Sequence, residues 1–136
     1  MDTKFSVALH ILVFISETNQ VASSERLAQS VNTNSSHIRK ITALLKKAKI
    51  ISSQQGKSGF VLEKPAKDLS LKKIYQAVYP DKLILHVHED ANPDCPVGSR
   101  IEGVLTPVFA QAETNLLNYL EQETLADLIR DMRAIK

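Results

Sequence analysis

Ser35, Ser36, His37, Arg39 and Lys40 place five hydrogen-bonding side chains within six positions, and none of them is an acid. Arg39 and Lys40 only donate, whereas serine and histidine both donate and accept, so the set suits base edges and phosphate oxygens. Between Arg26 and Leu62 stand seven basic residues (Arg26, Arg39, Lys40, Lys46, Lys47, Lys49 and Lys57) and no Asp or Glu. A solvated surface mixes its signs, so an acid-free stretch of this length points to a polyanionic partner. The alternative is a solvated basic face on a domain that meets another protein.

The other reactive group lies in residues 86–98, HVHEDANPDCPVG. Cys95 is the only cysteine of the chain, which excludes an internal disulfide and a cysteine-only metal site. Three readings stay open for this segment. Cys95 is a sensing thiol, which requires partial exposure and a depressed pKa; Glu89, Asp90 and Asp94 would raise that pKa if they lie close. Alternatively His86 and His88 bind a metal together with an acid. In the third reading the segment is a linker. No nucleophile–base pair, phosphate loop or metal motif stands at a recognisable spacing, so the chain is not expected to be an enzyme.

The elements that must hold these residues read as mainly α with a small β-wing. Residues 4–17 carry Phe5, Ala8, Leu9, Leu12, Val13 and Ile15 at helical spacings. Ser23 or Ser24 caps a second helix that buries Leu27 and Ala28, and Asn32 in the following turn tolerates a left-handed conformation. Asn34 or Ser35 caps a third helix, with Ile38, Ile41, Leu44 and Leu45 inward and the polar set outward near its N-terminal end, as in a recognition helix. Ile50–Ser53 and Phe60–Leu62 read as two strands of a wing, with Gly56 and Gly59 in the turn and Lys57 at its tip. Ser70 caps a helix with Leu71, Ile74, Tyr75 and Val78 on one stripe, and Pro80 ends it.

From Ser99 to Leu120 the apolar residues Ile101, Val104, Leu105, Val108, Phe109, Ala112, Leu116 and Leu120 recur at steps of three and four. A helix of that length is a rod of roughly 33 Å, longer than a small core covers, and its stripe predicts a two-fold dimer. Pro107 either bends this helix or opens a fresh one capped by Thr106. Thr124 and Asp127 form the pattern of a capping box that opens a final short helix.

The expected organisation is a winged helix-turn-helix DNA-binding domain over 1–82, a polar linker or sensor over 83–98, and a dimerisation helix with a short terminal helix over 99–136. Charge divides the same way: the balance is +7 over residues 1–82 and −5 over 83–136. The apolar run near the N-terminus is too short to span a bilayer and has no cleavage signature, so a cytoplasmic protein without membrane contact is expected.

The block LAQSVNTNSSHIRKITALLKKAKIISSQQGKSGFVLEKPAKDLSLKKIYQAV resembles the Rrf-two (Rrf2) family of bacterial winged helix-turn-helix regulators, which includes IscR, NsrR and CymR, and within it the YwnA-type subgroup. Carrying the resemblance are a capped recognition helix with a leucine-rich end, Ser-x-x-Gly before a glycine-containing wing, and a hydrophobic strand followed by a Pro and a short helix. It extends to Thr124–Leu128. Lys49 departs from it, standing where the family usually has glycine. The resemblance implies one long dimerising helix, so a continuous but bent helix is favoured. It also implies a sensor around residues 86–98, which carries three cysteines in the cluster-binding members. With Cys95 alone the thiolate set for a two-iron cluster is absent, and no cofactor is expected. The resulting expectation is a sequence-specific transcriptional regulator, a homodimeric repressor on a palindromic operator. Its partners are double-stranded DNA, a second copy of itself, and a protein or small-molecule effector. The alternative is a winged-helix adaptor controlled by a partner protein.

Overall fold

The computed structural model describes residues 2–18, 21–53, 59–81 and 85–135. Lys57, predicted at the wing tip, and Gly56, predicted in the wing turn, lie outside them. Three helices come first: α1 (Lys4–Glu17), α2 (Ser24–Val31) and α3 (Ser35–Lys47). Ser23 Oγ accepts the Arg26 N–H at 3.3 Å and Asn34 Oδ1 accepts the His37 N–H at 2.8 Å, so each chain entry into α2 and α3 satisfies a backbone donor that the helix leaves free. Between them Asn32 adopts the left-handed conformation at φ 66°, which turns the chain sharply.

Ile38, Ile41, Thr42 and Leu45 form the buried stripe of α3. Thr42 takes the inward place predicted for Leu44, which is half-buried. Offsets of three, four and seven from Ile38 lie on one face, and Leu44 falls to its edge. The Thr42 hydroxyl donates to the Arg39 carbonyl at 3.2 Å, so its burial leaves no donor unpaired.

Strands β1 (Ile51–Ser53) and β2 (Phe60–Leu62) pair antiparallel, with Ile51 opposite Leu62 and Ser53 opposite Phe60. After a 3₁₀ turn at Ala66–Asp68 comes α4 (Leu71–Val78), capped by Ser70, whose Oγ accepts the Lys73 N–H at 3.1 Å. Tyr75 of α4 packs between Phe5 and Tyr79, at ring-centroid distances of 5.4 and 5.2 Å. Burial and a hydrogen bond donated to Asp2 push the Tyr79 hydroxyl up to about 12.

Helix α5 (Ile101–Gln122) runs unbroken through Pro107. Thr106 does not cap a fresh helix: its hydroxyl donates to the Glu102 carbonyl at 2.8 Å, one turn back. Only the C-terminal half of α5 reaches the core, through Leu120 and Glu113, the latter 6% exposed. Helix α6 (Leu125–Ala134) opens with the predicted capping box. Thr124 Oγ1 accepts the Asp127 N–H at 3.2 Å, and Asp127 Oδ2 accepts the Thr124 N–H at 2.9 Å.

The C-terminal elements share the core of the first three helices. Leu120, Leu125 and Ile129 pack in one cluster with Ile11, Leu27, Ile38, Leu45 and Ile74. A short antiparallel contact locks the arrangement, the Leu71 N–H donating to the Glu123 carbonyl at 2.8 Å and the Leu125 N–H to the Leu69 carbonyl at 2.9 Å. Arg133 then donates to both carboxylate oxygens of Glu17, at 2.6 and 2.8 Å. Among the described residues no helix is long and apolar enough to cross a membrane.

Candidate nucleic-acid interface

The burial of Ile38, Ile41, Thr42 and Leu45 fixes which side of α3 faces out. Ser36, Arg39, Lys40, Ala43, Lys46 and Lys47 are exposed, while Ser35 and His37 at the first turn are half-buried. All five predicted residues of α3 therefore belong to one helix end, and the exposed ones form a ridge with no acid in it. Arg39 also lines an open groove between α3 and the wing, with Ser24, Thr42, Ala43, Lys46, Ser53 and Phe60. Toward α2 the groove continues past Ser23 and Glu25 to Gly59.

Sequence reading had Ser24 only as a possible cap of α2 and Ser53 only as the end of a strand. Lys46, one of the basic residues of the acid-free stretch and expected at phosphate or in solvent, stands seven residues after Arg39, two helical turns along the same face. Its ammonium donates to Ser53 Oγ at 3.1 Å, tying α3 to β1.

The wing is anchored on its other side as well. The Phe60 N–H donates to the Ala22 carbonyl at 3.2 Å. Gly59, at φ 148°, lies so close to Val21 that an added Cβ would meet Val21 Cγ1 at 2.7 Å. Only glycine combines that conformation with that approach. Helix α3 ends by a tight reversal: the Ile50 N–H donates to the Leu45 carbonyl at 3.0 Å and the Lys49 N–H to the Lys46 carbonyl at 2.9 Å, with Lys49 at φ 61°. This pair of bonds is the glycine-type helix stop, here made by a lysine.

Cys95 lies apart from the groove, half-buried in the turns that lead into α5. The backbone N–H groups of Gly98 and Val97 hold its thiol below the ordinary range. Glu89, Asp90 and Asp94, expected to raise that pKa only if they lie close, are not what sets it; the Gly98 and Val97 amides are. Among the described residues no three His, Cys, Asp or Glu side chains come together to hold a metal, so His86 and His88 are not joined by an acid in such a group.

An outward, acid-free helix face, a preceding helix at a left-handed turn and an anchored two-stranded wing define a winged helix-turn-helix protein of the DNA-binding type. The comparisons agree. The model of the Rrf2 family, described as iron-dependent transcriptional regulator, matches residues 1–131. YwnA of Bacillus subtilis (strain 168), which carries the name of an HTH-type transcriptional regulator, is 38% identical over 132 residues, covering 97% of this chain and 98% of YwnA. A crystal structure described as that of a DNA-binding protein has a TM-score of 0.76 at 37% identity, covering 93% of this chain and 98% of the other. CymR, the global cysteine regulator of B. subtilis, has a TM-score of 0.69 at 20% identity, with 96% and 95% covered, a likeness of fold. The chain belongs to the Rrf2 family of transcriptional regulators. A two-iron cluster held by several thiolates does not fit the donors present, since this chain has one cysteine.

Proposed function

We propose that the protein is a homodimeric repressor that reads a palindromic operator and works without an iron–sulfur cluster. The observation that carries this reading is the outward ridge of Ser36, Arg39 and Lys40 beside an anchored wing, in a stretch free of acids. Ser35, Ser36, His37, Arg39 and Lys40 contact base edges and adjacent phosphates. Lys57 contacts DNA from the wing. Dimerisation runs through α5, where Ile101, Leu105, Val108, Phe109, Ala112 and Leu116 meet their counterparts. Two recognition helices then enter successive major grooves about 34 Å apart. Cys95, between the two halves, is the sensing position for an effector or oxidant.

The test is a titration of wild type and Arg39→Ala against the DNA upstream of its own gene, at several salt concentrations. Wild-type binding should weaken steeply with salt as neutralised phosphates release counterions. Arg39→Ala should lose about 1–3 kcal/mol of specific affinity while keeping its fold. Equal operator binding by the variant would remove the assignment of the recognition face. A flat salt response would favour the adaptor reading.

A further inference from the structure

We propose that Arg39, Lys46 and Ser53 seat a single backbone phosphate in the groove between α3 and β1, so that recognition helix and wing grip one strand as a unit. The inference rests on the DNA-binding reading above and adds a site to it. Lys46 and Ser53 already touch, at 3.1 Å. An ammonium has three donors and spends one on Ser53; the Ser53 hydroxyl, having accepted it, keeps its own proton to donate. Both groups therefore keep unspent donors at the groove they line. Arg39 lines the same groove and adds a planar fork that suits phosphate oxygens. Thr42 and Ala43, between Arg39 and Lys46 on α3, are short and leave the floor open.

The far end of the groove is chemically different. Glu25 lines it beside Ser23, with Arg39 and Ser53 shared between the two portions, whereas the portion that Lys46 walls has no acid among its described residues. A carboxylate repels phosphate, so the charge distribution along the groove selects the Lys46–Ser53 end. Holding Lys46 against Ser53 before DNA arrives also lowers the ordering cost of a flexible side chain.

The experiment titrates wild type, Lys46→Met, Ser53→Ala, the double variant and Lys47→Met against duplex from upstream of its own gene, across a salt series. Circular dichroism of each checks the fold. Lys47 is exposed on the same helix turn but outside the groove, so Lys47→Met removes equal charge as a control. Lys46→Met should bind about tenfold more weakly, with a salt slope reduced by about one. Ser53→Ala should lose a few-fold with its slope unchanged, and the double variant should be no worse than Lys46→Met within about twofold, because the two act on one phosphate. Neutralising phosphates one at a time as methylphosphonates should reveal one position in each half-site where Lys46→Met has no further effect. Additive losses, equal effects of Lys46→Met and Lys47→Met, or no such position would overturn the seat while leaving DNA binding standing. Absence of any salt-sensitive wild-type binding, to this or to generic duplex, would instead overturn the reading beneath it.

Discussion

Lys49 sits at φ 61° where the helix-stop geometry calls for glycine. A left-handed conformation costs a non-glycine residue about 1–2 kcal/mol, and glycine gives part of that back through its freer unfolded chain. Lys49→Gly should therefore stabilise the protein by about 0.5–1 kcal/mol, raising the urea midpoint with an unchanged slope; a lower midpoint would show that the lysine side chain stabilises the fold in some other way. Cys95 makes a second prediction at this scale. Its pKa is depressed by the Gly98 and Val97 amides, so the thiolate fraction, and with it the rate of alkylation by iodoacetamide, should rise at a lower pH than for a free thiol. A Cβ at Gly98 would meet the Asn92 carbonyl oxygen at 2.3 Å, so Gly98→Ala should open the turn and move the alkylation midpoint upward. No shift would mean that the amides do not set it. The sign of this effect was not legible in the sequence. Glu89, Asp90 and Asp94 are visible neighbours along the chain, whereas the direction of two backbone N–H groups exists only once the turn has formed. Caps were legible because one side-chain type does one local job, as at Ser23, Asn34, Ser70 and Thr124.

Among the elements, α5 shows how tertiary context decides what local rules leave open. Pro107 lacks an N–H for the Gly103 carbonyl and its ring crowds that turn, which argues for a break. The helix nevertheless continues, with Thr106 bonded back to Glu102 rather than forward as a cap. The site is at the exposed N-terminal half, where a would-be Cβ on Gly103 has nothing within 4 Å beyond the adjoining residues and backbone of its own helix, so backbone adjustment there meets no packed neighbour. Pro107→Ala should restore the missing bond and stabilise by about 1–3 kcal/mol, read by urea unfolding; a loss instead would mean that the proline's geometry is needed for packing. The recognition helix and wing were readable as elements from apolar period and turn residues. Their mutual placement was not, because the Lys46–Ser53 bond and the Gly59–Val21 approach join residues that no local pattern relates.

At the scale of the whole molecule, the chain builds one core yet leaves half of its longest helix outside it. No residue from Ile101 to Ala112 is buried, and Val104 and Val108 are 59% and 58% exposed. Leu120, Leu125 and Ile129 meanwhile anchor the C-terminal elements to α1 and α4. A helix fixed at one end and unburied at the other supports the proposed pairing with a second copy, two-fold pairing being the commonest closed assembly. The core and the exposed half of α5 are separate in space along the helix, so they can be tested separately. On the proposed pairing through α5, Val104→Glu with Val108→Glu should halve the mass measured by light scattering while leaving the unfolding midpoint of the subunit core nearly unchanged. Each half-site would then be bound independently, and without the effective concentration that tethering supplies, affinity for a palindromic operator should fall by at least about 100-fold. A double variant that keeps the dimer mass would place the interface elsewhere. One that becomes monomeric yet binds the operator undiminished would show that pairing is not what the two recognition helices require.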